Sequence, residues 1–229
     1  MSSASHCSPA AGRFHAVILD YGQVLCYMPS QEEAERMAKA FKLDAEGFWP
    51  LWHRNREAFD RGDLSSESYW RALAEDASTK LSPTELDEVR RTDLEMFGRI
   101  NRTMVDWLVR LQKAGMKTAL LSNMHPEMIA YVRERFDWLL AFNFLTFSAE
   151  VRLTKPDPAI YRYTLDALGV QPAQALFIDD VERNIQAARE LGITALRFQS
   201  VSQLRNDLEA LGFPLLPAQE EAAPSVRQL

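Results

Sequence analysis

Short apolar runs alternate with amphipathic stretches along most of the chain. The apolar runs are 16–19 and the segments KTALLSN, FNFLTFS, ALFIDD and TALRFQ, and each is bounded by polar or turn-forming residues, as buried strands are. Three of the helical stretches between them end at Gly115, Gly169 and Gly192, and glycine favours the left-handed conformation that stops a helix. This alternation predicts an α/β fold with a parallel sheet covered by helices on both faces.

Residues 29–100 break the alternation. They carry amphipathic helical patterns, opening on Ser or Asp, over 30–42, 44–62, 65–78 and 82–97, and no convincing strand pattern. A block of this length is too large for a loop, so we expect a small helical domain lying over the strand ends. The predicted division is a core of 14–28 and 101–213, the helical insertion 29–100, a disordered leader 1–13 and a flexible tail 214–229.

Composition and charge narrow the possible partners. The 229 residues are 47% hydrophobic and 25% charged, which is typical of a globular protein with a sizeable core. The net charge of −6, without a run of Lys or Arg, argues against a nucleic-acid or anionic-membrane surface. Cys7 and Cys26 form neither a metal motif nor a disulfide framework, and no signal or membrane-spanning stretch is found. We expect a cytoplasmic monomer or homodimer.

Polar residues stand where four of the predicted strands end. In chain order they are Asp20; Ser122 with Asn123; Lys155, in the loop after FNFLTFS; and Asp179 with Asp180. Ligands of parallel α/β sheets bind beyond the carboxyl ends of the strands. A single polar residue there is usually just the chain leaving the core. Together, however, these residues supply a carboxylate nucleophile, neutral donors, a fixed cation and a carboxylate pair that suits a hard metal ion.

This ordered set resembles the haloacid dehalogenase superfamily of phosphohydrolases over residues 14–212. The resemblance implies a Rossmann-like three-layer core and a helical cap, here 29–100. A response-regulator receiver uses similar residues, but it lacks a large insertion and carries its acidic pair at the first strand. The segment DYGQV further resembles a branch with the pattern D-x-G-x-V, which includes a bacterial α-D-glucose-1-phosphate phosphatase.

The resemblance implies a nucleophile and a magnesium site. Asp20 would attack phosphorus and form an aspartyl-phosphate that water then hydrolyses. Mg²⁺ would be held by the Asp20 carboxylate, the Gly22 backbone carbonyl and Asp180, with Asp179 binding directly or through water. Asn184 stands where many relatives have a further acid. It is either a holder of a ligand or water, or simply a polar residue in the first turn of a helix.

The resemblance also implies a phosphate site. Ser122 and Asn123 would bind phosphate together with the N–H groups of the helix that follows, and Lys155 would offset charge as it develops on the phosphoryl oxygens. We interpret His125 as a helix-entry residue rather than an acid or base, and Cys26 as a packing residue beside the site.

Gly22 leaves the mechanism open. Many relatives have a second Asp at this position as general acid, and losing such a group typically costs about 10²–10⁴-fold in rate. The protein is then a phosphatase for esters with good leaving groups, or it borrows an acid from the cap or from water, or it only binds a phosphorylated ligand. A third function, that of a 2-haloacid dehalogenase, ranks well below phosphatase and ligand binding. Such an enzyme needs no metal, and the Asp179–Asp180 pair would then lack a cation to offset its charge.

The predicted cap holds the most suggestive aromatic and basic stretch, FWPLWHRNREAFDRG. Trp52, His53 and Arg56 could line a sugar pocket. Alternatively, the tryptophans form the core of the cap while Arg54 and Arg56 lie on a solvated face. The function that the sequence favours is a magnesium-dependent phosphatase of a small phosphorylated metabolite, such as a sugar phosphate. The sequence does not name that substrate.

Overall fold

The computed structural model describes residues 12–219, so most of the predicted leader and the end of the predicted tail lie outside the described residues. Its sheet has five parallel strands in the order β3-β2-β1-β4-β5. The strands are β1 (Ala16–Leu19), β2 (Lys117–Ser122), β3 (Phe144–Phe147), β4 (Ala175–Asp179) and β5 (Thr194–Arg197). The predicted parallel sheet is confirmed.

Strand β1 lies in the middle of the sheet, and all four of its residues are fully buried. Leu19 is in register with Leu120 of β2 on one side and with Ile178 of β4 on the other. The strands on either side of β1 therefore end close to Asp20. This register places the chemistry-bearing residues of three strands at one edge of the sheet.

Helices cover both faces of the sheet and form the predicted three layers. Val17 and Leu19 pack into one apolar cluster, whereas Ala16 and Ile18 point into another, as the alternation of side chains along a strand requires. The first cluster is covered by α6 (Arg102–Lys113), α7 (Pro126–Arg135) and α11 (Val201–Ala210). The second cluster is covered by α9 (Pro158–Leu168) and α10 (Glu182–Glu190). A single helical turn, α8 (Ser148–Val151), follows β3.

Five helices separate β1 from α6. They are α1 (Gln31–Ala40), α2 (Ala45–Arg54), α3 (Arg56–Asp60), α4 (Ser66–Asp76) and α5 (Pro83–Met96). They pack around an apolar cluster of their own that includes Phe41, Phe48 and Trp70. Capping boxes begin α1 at Ser30 and α5 at Ser82, as the Ser signals in the sequence predicted.

One helix prediction in this region is wrong. The stretch 44–62 reads as one amphipathic helix, but it is divided at Asn55, whose φ of −113° and ψ of 12° end α2 and precede α3. Asn favours such non-helical positions because its side chain competes for backbone hydrogen bonds. The break turns α3 into a separate short helix, which begins at Arg56.

Two linkers run side by side between the sheet and the inserted helices α1–α5. Cys26 forms an antiparallel bridge with Ile100, and the Asn101 N–H donates to the Leu25 carbonyl at 2.9 Å. Cys26 is fully buried, and burial raises the pKa of its thiol to about 12, so it packs as an apolar group. Within residues 12–219 no helix has the length and apolar character needed to cross a membrane.

Candidate active site

Three carboxylates meet at the ends of β1 and β4. One oxygen each of Asp20, Asp179 and Asp180 lies within 4.8 Å of the others, so these oxygens could hold one metal ion. Asp20 and Asp179 are buried, and Asp180 is half-buried. The prediction that the first strand end and the acidic pair come together agrees with this geometry.

The cluster carries more negative charge than its surroundings balance. Burial raises the pKa of Asp20, and the neighbouring Asp179 and Asp180 raise it further, whereas Lys155 lowers it. Burial and Asp179 also raise the pKa of Asp180. Crowded carboxylates of this kind resist ionisation unless a cation joins them, and oxygen ligands suit a hard divalent ion. The donor set therefore fits Mg²⁺.

Lys155 is the fixed cation of the site. It is only 2% exposed, and its Nζ lies 2.8 Å from Asp20 Oδ1 and 2.6 Å from Asp179 Oδ2. Burial disfavours its charge, but the two carboxylates outweigh that effect and raise its pKa. Lys155 therefore stays protonated and links the ends of β1 and β4.

The side chain of Asn123 holds the backbone of Lys155. Its Nδ2 donates to the Lys155 carbonyl at 2.9 Å, and the Lys155 N–H donates to its Oδ1 at 2.8 Å. Asn123 therefore positions the lysine. Because its amide nitrogen carries a second N–H, these bonds do not contradict phosphate binding by Asn123, which stays a prediction.

Asp179 is held by donors on every side. Asn184 Nδ2 donates to both of its oxygens, at 3.0 and 3.1 Å, and the Val181 N–H donates to Oδ1 at 2.8 Å, in addition to the Lys155 contact. Asn184 Oδ1 is buried and finds no hydrogen-bond partner within residues 12–219. An unpaired buried oxygen is costly, and a bound water would satisfy it. Within residues 12–219, the side chain of Asp180 accepts fewer hydrogen bonds than that of Asp179.

A tight turn follows Asp20. The Val24 N–H donates to the Gly22 carbonyl at 2.7 Å, and Gln23 between them has a left-handed φ of 57°. The Gln23 side-chain amide donates to Asp180 Oδ2. Gly22 itself lies outside the left-handed region, and a Cβ there would meet only Asp20 Oδ2, at 4.0 Å. The backbone therefore does not require glycine at this position.

The other predicted phosphate donors lie at the end of β2. Ser122 is buried and is the last residue of β2. His125 is the N-cap of α7, and its Nδ1 accepts from the Met128 N–H at 3.4 Å. Its interpretation as a helix-entry residue is confirmed. Its Nε2 also lies 3.1 Å from Asp93 Oδ2, which belongs to α5.

A cavity of about 110 Å³ separates the strand ends from the inserted helices. Its lining residues are Tyr21, Gly22, Trp52, Arg56, Asp60, Phe97, Ser122, Asn123, Met124 and Met128. Of the predicted cap contacts, Trp52 and Arg56 line the cavity and His53, which is exposed, does not. The alternative of a solvated arginine face holds for Arg54, whose side chain is 57% exposed, but is wrong for Arg56, at 13%.

A family model described as haloacid dehalogenase-like hydrolase matches residues 14–192. The chain is a haloacid dehalogenase-like hydrolase. The hydrolase is 27% identical over 139 residues to bifunctional epoxide hydrolase 2 of Rattus norvegicus, a match that covers 55% of this chain and 24% of that protein. The match thus spans about a quarter of that relative's length.

Two further similarities extend over most of the hydrolase. It is 21% identical over 210 residues to D-ribitol-5-phosphate phosphatase of Bacteroides thetaiotaomicron, which covers 85% of this chain and 97% of the relative. Its fold resembles a haloacid dehalogenase family enzyme of the same organism in complex with magnesium and inorganic phosphate. For that structure the TM-score is 0.62 at 21% identity, over 83% of this chain and 98% of the other.

Sequence reasoning missed a buried ionic network in the hydrolase. Arg56 Nε lies 3.0 and 3.1 Å from the two oxygens of Asp60, and its Nη1 lies 3.5 Å from Asp93 Oδ1. Asp93 is 1% exposed. The signal was present in α5, because Asp93 continues the buried stripe of Val89 and Met96 at helical spacing. A carboxylate on an apolar stripe indicates a buried charge partner.

Proposed function

We propose that this hydrolase is a magnesium-dependent phosphatase that acts on a small phosphorylated metabolite through an aspartyl-phosphate on Asp20. One observation carries the proposal: Asp20, Lys155 and the acidic pair Asp179–Asp180 meet at one edge of the sheet. A nucleophile, a fixed cation and a hard-metal donor set are then available to a single phosphoryl group.

The two oxygens of Asp20 have different surroundings. Oδ1 accepts from the Tyr21 N–H at 2.8 Å and contacts Lys155 Nζ. Within residues 12–219, Oδ2 has no donor, so it is the oxygen that attacks phosphorus. The bond from phosphorus to the leaving oxygen breaks, and that oxygen takes a proton from water. A second water then attacks the aspartyl-phosphate and releases Asp20 and phosphate, and the proton that it gives up neutralises the hydroxide left by the first water.

Asp20, Asp180 and the Gly22 carbonyl would hold the Mg²⁺, with Asp179 oriented behind them and acting through water. Bound Mg²⁺ would offset the charge of the carboxylates and of the phosphoryl oxygens. The orphaned Oδ1 of Asn184 supports this set, because it would accept from a water of the ion. The relative crystallised with magnesium and inorganic phosphate supports it as well.

Ser122 Oγ, the side-chain amide of Asn123 and Lys155 Nζ would bind the phosphate, together with the N–H groups at the start of α7. A helix N-terminus favours anions because its first N–H groups lack partners in the helix. The similarity to a ribitol-5-phosphate phosphatase supports a small phosphate ester as substrate. We further propose that DYGQV places the enzyme in the D-x-G-x-V branch of the family, and that residues 29–100 act as the cap that covers the site.

Two competing functions would leave part of the cluster without a role. A protein that only binds a phosphorylated ligand would not need Asp20 and Lys155 in contact beside an acidic pair. A 2-haloacid dehalogenase would not need the acidic pair at all. Phosphate hydrolysis uses every group in the cluster, and for that reason we prefer it.

The test is hydrolysis of p-nitrophenyl phosphate and acetyl phosphate with and without Mg²⁺. We expect turnover that needs Mg²⁺ and stops with EDTA. Asp20→Asn should abolish turnover without loss of the fold, and Asp180→Asn should raise the Mg²⁺ concentration needed. Asp106→Asn, an exposed carboxylate on α6, is the matched control and should behave as wild type.

Three results would contradict the proposal. Full activity after chelation, with chloride release from a 2-chloroacid, would indicate a dehalogenase. Mg²⁺-dependent binding of phosphate without turnover of any ester would indicate a binding protein. Normal turnover by Asp20→Asn would mean that another residue is the nucleophile.

A further inference from the structure

We propose that Arg56 and Asp60 form a recognition pair for a hydroxyl group, so that the site prefers small hydroxylated phosphate esters and disfavours esters whose leaving group carries a carboxylate. This inference rests on the proposed phosphatase function and specifies its substrate class.

The pair forms part of the cavity wall. The side chains of Arg56 and Asp60 are 13% and 9% exposed, and both line the cavity that Ser122 also lines. The Arg56 guanidinium lies 4.1 Å from the centroid of the Trp52 ring, and Asp93 holds it from the far side. Its position is fixed before any ligand binds, which lowers the entropic cost of recognition.

The pair keeps one donor and one acceptor for a ligand. Arg56 uses Nε on Asp60 and Nη1 on Asp93, and the hydrogen bonds within residues 12–219 leave Nη2 without an acceptor. Among residues 12–219, the Arg56 Nε–H is the donor that the two Asp60 oxygens share, and a carboxylate has about four acceptor positions. A hydroxyl both donates and accepts, so it complements Nη2 and an Asp60 oxygen at the same time.

The charge of the network disfavours a carboxylate in the same place. One guanidinium, that of Arg56, faces the two carboxylates of Asp60 and Asp93, and His125 contacts Asp93 from the core. Burial disfavours the charge of Arg56, but Asp60 and Asp93 outweigh that effect and raise its pKa. The charge of Arg56 is therefore permanent and already balanced by these two acids. A third carboxylate brought by a ligand would be repelled by Asp60, whereas a neutral hydroxyl would not.

The volume of the cavity sets a second limit on the leaving group of the ester. The cavity of about 110 Å³ is smaller than the roughly 300–1,000 Å³ typical of pockets for drug-sized ligands. A leaving group of a few carbon atoms therefore fits with the inserted helices in this position. Short polyol phosphates have the required size, charge and hydroxyl groups.

Three ligands with three carbon atoms each test the inference: glycerol 3-phosphate, propyl phosphate and 3-phosphoglycerate. Their affinities are measured with Mg²⁺ by calorimetry, which needs no turnover, and as inhibition constants against acetyl phosphate. We expect glycerol 3-phosphate to bind about tenfold more tightly than propyl phosphate, because two hydrogen bonds form with charged groups. We expect 3-phosphoglycerate to bind more weakly than glycerol 3-phosphate.

Arg56→Lys keeps the charge but loses the planar fork, and Asp60→Ala removes the acceptor. Either variant should bring the affinities for glycerol 3-phosphate and propyl phosphate to within about twofold of each other. Arg54→Lys, two residues away on an exposed side chain, is the matched control and should keep the wild-type preference. Mg²⁺-dependent hydrolysis of acetyl phosphate, measured in every variant, reports that the site is folded.

Equal wild-type affinities for glycerol 3-phosphate and propyl phosphate would overturn the inference, as would a preference that survives both variants. Tighter binding of 3-phosphoglycerate would also overturn it. These results leave the phosphatase proposal intact while acetyl phosphate is still hydrolysed. Loss of acetyl phosphate hydrolysis in the wild type, with the calorimetric preference present, would instead remove the phosphatase function and keep the recognition pair.

Discussion

At the scale of single residues, the position that decides most about the chemistry is Gly22. Its φ lies outside the left-handed region, and a side chain there would meet only Asp20 Oδ2, at 4.0 Å. Neither backbone strain nor close packing explains the glycine. Its consequence is chemical, because a residue without a side chain cannot give a proton to the leaving group.

The first prediction concerns that missing acid. Across a series of phosphate esters at saturating concentration, the wild-type turnover number should fall steeply as the leaving group becomes more basic. Aryl and anomeric phosphates should then react well, and primary alkyl phosphates, short polyol phosphates included, should react slowly even where they bind tightly. Gly22→Asp should raise the alkyl rates by about 10²-fold or more and flatten the series. Gly22→Ala adds a Cβ without a proton donor and should leave the slope unchanged. A flat wild-type series would mean that an acid is supplied from elsewhere.

The second prediction concerns Lys155. Lys155→Met leaves Asp20 and Asp179 buried without their cation, so we expect loss of turnover and a fall of about 3–5 kcal/mol in the free energy of unfolding. Urea unfolding measures that fall, and added Mg²⁺ should recover part of it. Lys113→Met, on the exposed side of α6, should change stability by no more than about 0.5 kcal/mol. Unchanged stability of Lys155→Met would show that the carboxylates do not need this lysine.

At the scale of elements, the sequence predicted what depends on local pattern. Strand ends at Asp20, Ser122 and Asp179 could be found because apolar runs stop there, and parallel strands bring their carboxyl ends to one edge. The side-chain partners of Asn123 and Arg56 could not be found in this way. Periodicity assigns a residue to a face of its own element, but it does not say which distant element that face meets.

Helix α5 is a second case in which periodicity did not identify the distant partners of a buried side chain, Asp93. It supplies the third prediction. Burial raises the pKa of Asp93, but Arg56 and His125 outweigh it, so the net pKa is lowered. A carboxyl with a lowered pKa stabilises the fold at neutral pH, and that stabilisation disappears as pH falls below the ordinary carboxyl pKa of about 4. Asp93→Asn should therefore be less stable than wild type by about 3 kcal/mol at pH 7, with a gap that narrows towards pH 3.

Urea unfolding between pH 7 and pH 3 measures this gap. Asp87→Asn is the matched control, because Asp87 lies on the same helix with its side chain 75% exposed and pairs with Arg90 at the surface. Its stability should follow the wild-type curve within about 0.5 kcal/mol. A gap for Asp93→Asn that stays constant with pH would show that Asp93 is not held ionised by its partners.

At the scale of the whole molecule, polar contacts join the inserted helices to the part of the chain that carries the sheet, two of them buried and one exposed. Asp93 of α5 contacts His125 at the start of α7, and Ser148 Oγ, next to β3, donates to the Asp60 carbonyl at the end of α3. Arg152 Nη1 donates to the Gly62 carbonyl at 3.1 Å. A ligand in the cavity therefore touches both parts at once, and its binding energy should stabilise both.

The last prediction follows because the inserted helices and the strand ends line the same cavity. Mg²⁺ with inorganic phosphate should slow amide hydrogen exchange in the turn after Asp20 and at the start of α7, and also in α2 and α3, whose Trp52 and Arg56 line the cavity. At 100 times the dissociation constant, the ligand should add about 2.7 kcal/mol to the free energy of unfolding. Mg²⁺ with chloride should protect the turn after Asp20 but not α2 and α3. Protection that stays at the strand ends when phosphate is present would mean that the inserted helices do not sense the occupied site.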